Sequence, residues 1–288
     1  MADQKAPVRH HYVPRMLLKR FMDTDDRLWT FNKASPEKGV LPKSIGSVFF
    51  EKHRYSVIKA DGTKDVSLEH ALSEIEGDAD RFIEKVVATV RAGNTPHITK
   101  SDHALWMKFL RVQWLRRPGV VTDHMSPEEF DEFLDEEIAA LTPFLHRIPP
   151  QALALVKTPE WRKRLKRNLA AQMVTQPMSD VQNTLSQMGL AIAVLRKSNK
   201  SFVIGSHPVI RCAPPGGGKL GTPGVELWLP VARDVAISPL PEPGIVRVLD
   251  GIADADLRRL NLAIYAQSRE IASSSQSLVA SIVGACGG

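Results

Sequence analysis

Thiols are scarce in this sequence: Cys212 and Cys286 are the only cysteines in 288 residues. They are too few for a disulfide framework and lack the paired spacing of a structural zinc site. Long apolar runs are missing too. The longest, Met188 to Leu195, falls far short of the roughly 20 residues that span a bilayer. Met1 to Val8 holds no apolar signal core. These absences set the expectation of a soluble, unexported, cytoplasmic protein with no membrane partner. No internal repeat, Gly-x-Ser-x-Gly elbow, His-Glu-x-x-His zinc helix or calcium loop is present, so the common serine-hydrolase, zincin and EF-hand templates do not apply.

What is present is an ordinary globular composition, with 43% hydrophobic and 24% charged residues. A chain of this length can bury a substantial core as one large domain or two ordinary ones. Lys and Arg number 38 against 32 Asp and Glu, a formal charge of +6. That balance favours acidic partners such as nucleic acid without demanding them.

One glycine-rich stretch imitates a nucleotide site. Gly216-Gly217-Gly218-Lys219-Leu220-Gly221 has the letters of a dinucleotide fingerprint, but Thr222-Pro223-Gly224 replaces the helix that should follow. Leu220 also stands where a phosphate loop needs Ser or Thr for magnesium. Eight of the twelve residues from Ala213 to Gly224 are Gly or Pro, so the stretch reads as a flexible loop.

Periodicity supplies the elements. A short amphipathic helix is expected from Pro14, burying Leu17, Leu18 and Phe21, then a strand at Leu28 to Asn32, a loop from Pro36 to Pro42, and a strand at Arg54 to Ile58 closed by Asp61-Gly62. Leu68, Leu72, Ile75, Ala79, Phe82, Val86 and Val90 step by four and three along a long helix. Ser67 is expected to cap it. A third helix runs from Thr99, with Asp102 as its box partner, to Arg117. Ser126-Pro127-Glu128-Glu129 starts a fourth, expected to bury Phe130, Phe133 and Leu134, and Thr158-Pro159 starts a fifth.

The fifth helix carries Arg162, Lys163, Arg164, Lys166 and Arg167, five cations in six residues. Such a face suits phosphate backbones, and equally suits plain solvation. Beyond it, a helix from Met178 to Gly189 is expected, then a hairpin of Ala191 to Leu195 with Ser201 to Ile204. Strands at Glu226 to Pro230, Val235 to Ser238 and Ile245 to Leu249 precede a last helix from Asp254 to Ala272 and a frayed tail. The class is α+β, a mostly helical middle packed with sheet from N-terminal strands and C-terminal hairpins. One compact domain over 1–288 is expected, divisible into a mainly helical 1–177 and a hairpin-rich 178–288.

The candidate chemistry begins at His10-His11-Tyr12-Val13-Pro14. With His11 just before a helix start, an anion or an acid/base imidazole is well served; the same residues also suit a core plug with locally bonded histidines. The segment is similar to the His-His-x-x-Pro start of some His-Asn-His nuclease toxins, but no His/Asn helix follows soon after. A resemblance over nearly the whole chain is stronger. His11-x-Val13-Pro14-x-x-x-Leu18-x-x-Phe21 resembles the opening signature of the bacterial domain of unknown function 4238. The strand at Leu28 to Phe31 and the acidic helix with Glu69 and Glu76 agree in order. Gln113 with Arg117-Pro118 resembles that family's Gln-x-x-Arg-x-Pro helix end. Phe202 to Val209 resembles its Phe-Ile-Thr-Ser-Asp-Asn-Pro-Val segment, with Ser206 in place of the Asp and His207 in place of the Asn, and Leu260-Asn261 falls in its closing helix.

The resemblance implies a role in bacterial anti-phage defence. The reading that follows is a nuclease or phosphodiesterase effector with a candidate site of His11 as acid/base, Glu76 as metal ligand or base, Gln113 and Arg117 as phosphate or transition-state binders, and Ser206 and His207 from the hairpin end. A divalent metal is the candidate cofactor. Arg162, Lys163, Arg164, Lys166 and Arg167 form the candidate nucleic-acid surface. The alternative is a non-catalytic sensor that binds a phage component or nucleic acid, and a third reading makes the signature residues a polar network serving only the fold.

Overall fold

The long apolar stripe does what its spacing requires. Leu68, Leu72, Ile75, Ala79, Phe82, Val86 and Val90 are all buried in the computed structural model, which describes residues 9–52, 54–55, 57–58, 64–118, 126–140, 154–155, 158–174 and 179–286. The fold is α+β. The chain divides into two compact units, one of Met1–His10, Lys52–Ala71 and Pro118–Gln176, the other of His11–Glu51, Leu72–Arg117 and Pro177–Gly288. Among the described residues no helix is long and apolar enough to cross a membrane.

The chain opens with β1 (Arg9–His11), α1 (Arg15–Lys19), β2 (Leu28–Asn32), β3 (Leu41–Lys43), β4 (Phe50–Lys52), β5 (Val57–Ile58) and β6 (Lys64–Asp65). The expected loop from Pro36 to Pro42 is instead a 3-10 turn at Pro36–Lys38 followed by β3, because Leu41 and Pro42 pair with Thr30 and Trp29 of β2. The long helix is α2 (Ser67–Arg91). Its cap is not the Ser67 hydroxyl: Ser67 is already helical, and its N–H donates to Asp65 Oδ1 at 2.9 Å.

Next comes α3 (Lys100–Leu115), opened by a complete capping box. Thr99 Oγ1 accepts from Asp102 N at 3.1 Å, and Asp102 Oδ2 accepts from Thr99 N at 3.0 Å. Trp106 is fully buried, its ring 5.5 Å from that of Phe82 and 5.9 Å from that of Phe109. α3 stops two residues before the expected Arg117, with Arg116 as C-cap.

In the smaller unit, β5 pairs antiparallel with β6. The expected Asp61-Gly62 turn lies outside the described residues. α4 (Pro127–Ala140) starts on the second capping box, Ser126 Oγ accepting from Glu129 N at 3.1 Å and Ser126 N donating to Glu129 Oε2 at 2.6 Å. Phe130 and Leu134 are buried there, but Phe133 is 40% exposed, a correction to its expected inward place. The next helix is α5 (Pro159–Met173).

The larger unit continues with α6 (Ser179–Ser186), β7 (Gly189–Val194), β8 (Ile204–Gly205), β9 (Ile210–Cys212), β10 (Glu226–Ala232), β11 (Val235–Leu240), β12 (Val246–Asp250), α7 (Asp254–Gln267), β13 (Glu270–Ser273) and α8 (Gln276–Cys286). A mixed five-stranded sheet runs β12-β7-β11-β10-β9, with β12 parallel to β7 and the other pairs antiparallel. Every residue of β7 is buried, which explains its unbroken apolar run.

The second sheet, β3-β2-β13-β8, is antiparallel and joins N-terminal strands to C-terminal ones. It corrects three expectations. The segments of the anticipated 191–204 hairpin belong to different sheets, since β7 pairs with β11 and β12 while β8 pairs with β13. The last helix ends at Gln267, and residues expected to extend it form β13, whose Glu270 to Ser273 pair with Asn32 to Trp29. The expected frayed tail is helix α8, anchored by buried Val279 and Ile282.

Candidate functional site

His11 is the last residue of β1, and the chain is held firmly just after it. Leu17, Leu18 and Phe21 are fully buried and anchor α1. Pro14 stands outside that helix with φ −57° and ψ 138°, and α1 has only five residues. The anion-binding helix start expected beside His11 therefore has too little helix behind it. A backbone carbonyl fixes the imidazole instead. His11 is half-buried, its Nε2 lies 3.1 Å from the Ile45 carbonyl oxygen, and its ring tilts at 48° against Phe50, 5.9 Å away. A carbonyl can only accept, so Nε2 carries the proton and Nδ1 keeps the lone pair.

Charges gather around that ring. Arg116 is only 3% exposed. Its Nη1 pairs with Glu76 Oε1, and its Nη2 donates to the His11 carbonyl oxygen at 2.5 Å. Arg15, exposed on α1, extends its guanidinium over the turn at Ile45–Ser47, within 3.8 Å of where a Cβ on Gly46 would sit. Burial holds the His11 imidazole below the usual histidine value; its bond to Ile45 opposes this, Arg15 and Arg116 push the same way as burial, and Glu76 pulls back. The result is a neutral imidazole with a directed lone pair, flanked by one accessible and one buried guanidinium.

The other expected residues fall in differing surroundings. Gln113 is completely buried on α3, and its Oε1 and Nε2 have no hydrogen-bond partner among the described residues. Arg117 places its guanidinium 5.6 Å from the centre of the Trp114 ring. Ser206 is fully buried at the end of β8, where its Oγ accepts from Arg269 N at 2.8 Å and its N–H donates to the Glu270 carbonyl at 2.8 Å. His207 is half-buried, and its backbone N–H donates to Ser268 Oγ at 3.2 Å. Nearby, Asn261 of α7 accepts from Val203 N and donates to the Ser201 carbonyl, both at 3.0 Å. Glu270 is buried and meets Lys43 Nζ at 2.8 Å.

Thus His11, Glu76 and Arg116 form one constellation, while Ser206 and His207 are bonded into the β8 and β13 region. Glu76, expected as metal ligand or base, gives Oε1 to Arg116. Among the described residues no three His, Cys, Asp or Glu side chains group as a metal-binding set.

In the smaller unit, His10 is fully buried. Its Nδ1 accepts from Tyr55 N at 2.9 Å, and its ring stacks 5.7 Å from that of Tyr55. A nitrogen that accepts an N–H has no proton for Glu69 Oε2, 3.4 Å away, so that contact is not a charged pair. The basic face of α5 is less open than its sequence implies. Arg162 pairs with Asp131 and Asp135 of α4, and Lys166 Nζ lies 5.0 Å from the centre of the Phe130 ring. Lys163 is exposed and Arg164 intermediate; the side chain of Arg167 lies outside the described ones.

A family model described as protein of unknown function (DUF4238) matches residues 9–277. The chain belongs to that family. No curated protein and no solved structure matches it. Sequence reasoning passed over Arg116, the arginine that reaches Glu76 and the His11 backbone; it lies three residues after Gln113 and two before Pro118. Arg15 was missed although it directly follows Pro14 in the stretch from His11 to Phe21. The Ile45 carbonyl carried no side-chain signal at all.

Proposed function

We propose that this chain is a phosphodiester-cleaving effector, a nuclease or phosphodiesterase, with His11 as its general base. The observation that carries the reading is the imidazole pinned through Nε2 to the Ile45 carbonyl, kept neutral by burial and neighbouring cations. Its Nδ1 is the proton acceptor for an attacking hydroxyl or water. Arg15 is the anion-binding cation, exposed beside the turn that holds the ring. Arg116 and Glu76 are positioning residues: the guanidinium fixes the His11 backbone, and the carboxylate fixes the guanidinium. Gln113 lies one helical turn before Arg116 on α3 and belongs to the same positioning shell. Ser206 and His207 brace the segment before Pro208. A divalent ion would enter through the phosphate of the substrate. Lys163 and Arg164 supply polyanion attraction. The defence role implied by the family resemblance makes phage infection the trigger.

The test is incubation of pure protein with plasmid, total RNA and tRNA, with Mg2+ or Mn2+. Cleavage is expected, with His11→Ala lowering the rate by about a hundredfold or more and Arg15→Ala weakening substrate binding. Absence of cleavage under every condition, or full activity in His11→Ala, defeats the reading.

One observation favours a second reading, that of a sensor without chemistry. The Oγ of Ser206 is already bonded to a backbone amide, and the family resemblance sets this serine against an Asp. Protection from phage that survives His11→Ala but is lost on reversing the charges of Lys163 and Arg164 would select it.

A further inference from the structure

The smaller unit leaves apolar side chains uncovered. Four large ones stand exposed among the described residues, and two of them, Phe133 of α4 at 40% and Leu155 just before α5 at 46%, belong to this unit. The apolar line of α5, formed by Trp161, Leu165 and Leu169, is also only half-buried. An amphipathic helix hides such a stripe against a neighbour, and an uncovered one marks a contact with another chain. Around Phe133 the charge is of one sign. Glu128, Glu132 and Glu136 recur every four residues along α4, all three exposed and none in an ion pair among the described residues. Phe133 lies one turn from Glu136, so ring and acid share a face. Asp131 and Asp135 are already taken by Arg162 of α5. The complementary charges stand on α5 itself: Lys163 is exposed and Arg164 half-buried, and neither has a partner among the described residues.

We infer that the α4–α5 face is an interface between two copies of this chain, with Phe133 and the glutamate stripe of one copy lying against Lys163 and Arg164 of the other. Charge complementarity selects this occupant. The unpaired acids and the unpaired cations belong to one compact unit, tied together by Arg162. A two-fold axis therefore satisfies both sets at once, since α4 of each copy meets α5 of its partner. A basic segment of another protein would answer the acids and leave Lys163 and Arg164 unmatched, so a second copy is the partner that uses the whole face. The exposed ring and the half-buried line of α5 supply apolar contact, and the charges set the register. Two short helices per copy make a small interface, so the dimer is weak, with a dissociation constant of about micromolar order. His11 has no part in it, and the dimer stands or falls without the phosphodiester reading. Lys163 and Arg164 are the cations given above to polyanion attraction, so nucleic acid and a second copy compete for them.

The test is sedimentation velocity and light scattering of the full chain from about 1 to about 200 μM. Reversible dimerisation is expected. Glu132→Lys and Lys163→Glu should each raise the dissociation constant by about tenfold or more, and Phe133→Ser should do the same. All three positions are exposed, so the variants keep the fold. An equimolar mixture of Glu132→Lys with Lys163→Glu is expected to regain the affinity of the unaltered chain, because both like-charge contacts become opposite-charge contacts in the mixed dimer. A general loss of stability could not produce that rescue. A chain that stays monomeric throughout, a dimer indifferent to all three substitutions, or a mixture no tighter than its components would overturn the inference.

Discussion

Replacing Glu76 by Gln keeps the side chain's shape and removes its charge, leaving the Arg116 guanidinium buried beside a neutral amide. Arg116 is 3% exposed and Glu76 25% exposed, so water can replace only part of what is lost. A hydrogen bond to a charged group contributes about 1.5–3 kcal/mol, and Glu76's exposure places this one near the lower end, about 1.5–2 kcal/mol. For a chain of this size that corresponds to a fall in Tm of about 2–4 °C. Arg116→Met loses the bond to the His11 carbonyl as well and is expected to cost about 3 kcal/mol. Urea unfolding of Glu76→Gln, Arg116→Met and the double variant should therefore give a coupling energy of about 1.5 kcal/mol. The same variants titrate His11 in opposite directions. Glu76 raises the imidazole's proton affinity and Arg116 lowers it, so Glu76→Gln moves the His11 NMR midpoint down and Arg116→Met moves it up. Additivity within about 0.5 kcal/mol, or midpoints moving together, would refute the claim that these groups form one electrostatic unit.

Three further outcomes are expected. The folded pKa of His11 lies below the unfolded 6.5, so the unfolded chain protonates first as pH falls; its contribution is full above that value and is lost as pH drops toward the folded value. His11→Asn should consequently flatten the loss of stability as pH falls below 6.5, and an unchanged pH profile would count against the depressed pKa. Asn261→Leu strands the Val203 N–H and the Ser201 carbonyl, each now bonded at 3.0 Å; a loss of about 2–4 kcal/mol is expected in chemical denaturation, and a loss below about 1 kcal/mol would show that other groups take over. Gly189→Ala would put a Cβ 2.3 Å from the carbonyl oxygens of Glu242 and Ile245. No flexible side chain can yield there, so the variant should lose cooperative unfolding, and a native-like thermal transition would contradict the packing around β7.

Local chemistry was readable along the chain where it is self-contained. The α2 stripe needs only residues three and four apart, and the Thr99/Asp102 and Ser126/Glu129 caps need only their own first turn. Pairing was not readable, because a strand's partner is chosen by distant residues. The β-branched residues at 191–195 mark β7, but of Ser201 to Ile204 only Ile204 lies in a strand, and nothing local says that β7 and β8 enter different sheets. Glu270-Ile271-Ala272-Ser273 has four residues and no turn signal before it, so a helical reading ran through it until pairing with Asn32 to Trp29 decided otherwise. Phe133 shows the same limit in α4, since an apolar residue marks a face only when another element covers it.

Legibility of the site followed the same division between side chains and backbone. His11, Glu76 and Gln113 are chemically conspicuous, and Arg116 was recoverable by counting three residues from Gln113. The partners that define their geometry, the Ile45 carbonyl and the His11 carbonyl, are main-chain atoms that every residue possesses. A sequence cannot single out one carbonyl from its neighbours, so the tautomer of His11 and the role of Arg116 emerged only with the fold.

His11 and Glu76 on one side, and Ser206 and His207 on the other, belong to two hydrogen-bonded networks with different physical characters. In one, the segment 201–207 is secured from α7 and β13: Asn261 holds residues 201 and 203, Ser268 holds His207, and Ser206 holds Arg269. Each of these bonds has a backbone partner, and none leaves a titratable group waiting. Their arrangement is that of a brace, and Gly205 belongs to it because a Cβ there would stand 2.1 Å from Ser268 Oγ. In the other network the groups are charged or titratable, one imidazole nitrogen is free of the carbonyl that fixes its twin, and an exposed arginine stands beside it. Preorganised charge around a directed lone pair is what proton transfer needs, and backbone bracing is what holding a chain in place needs. The Ser at position 206 fits that division, since a hydroxyl serves a brace as well as a carboxylate does and adds no second negative charge beside buried Glu270.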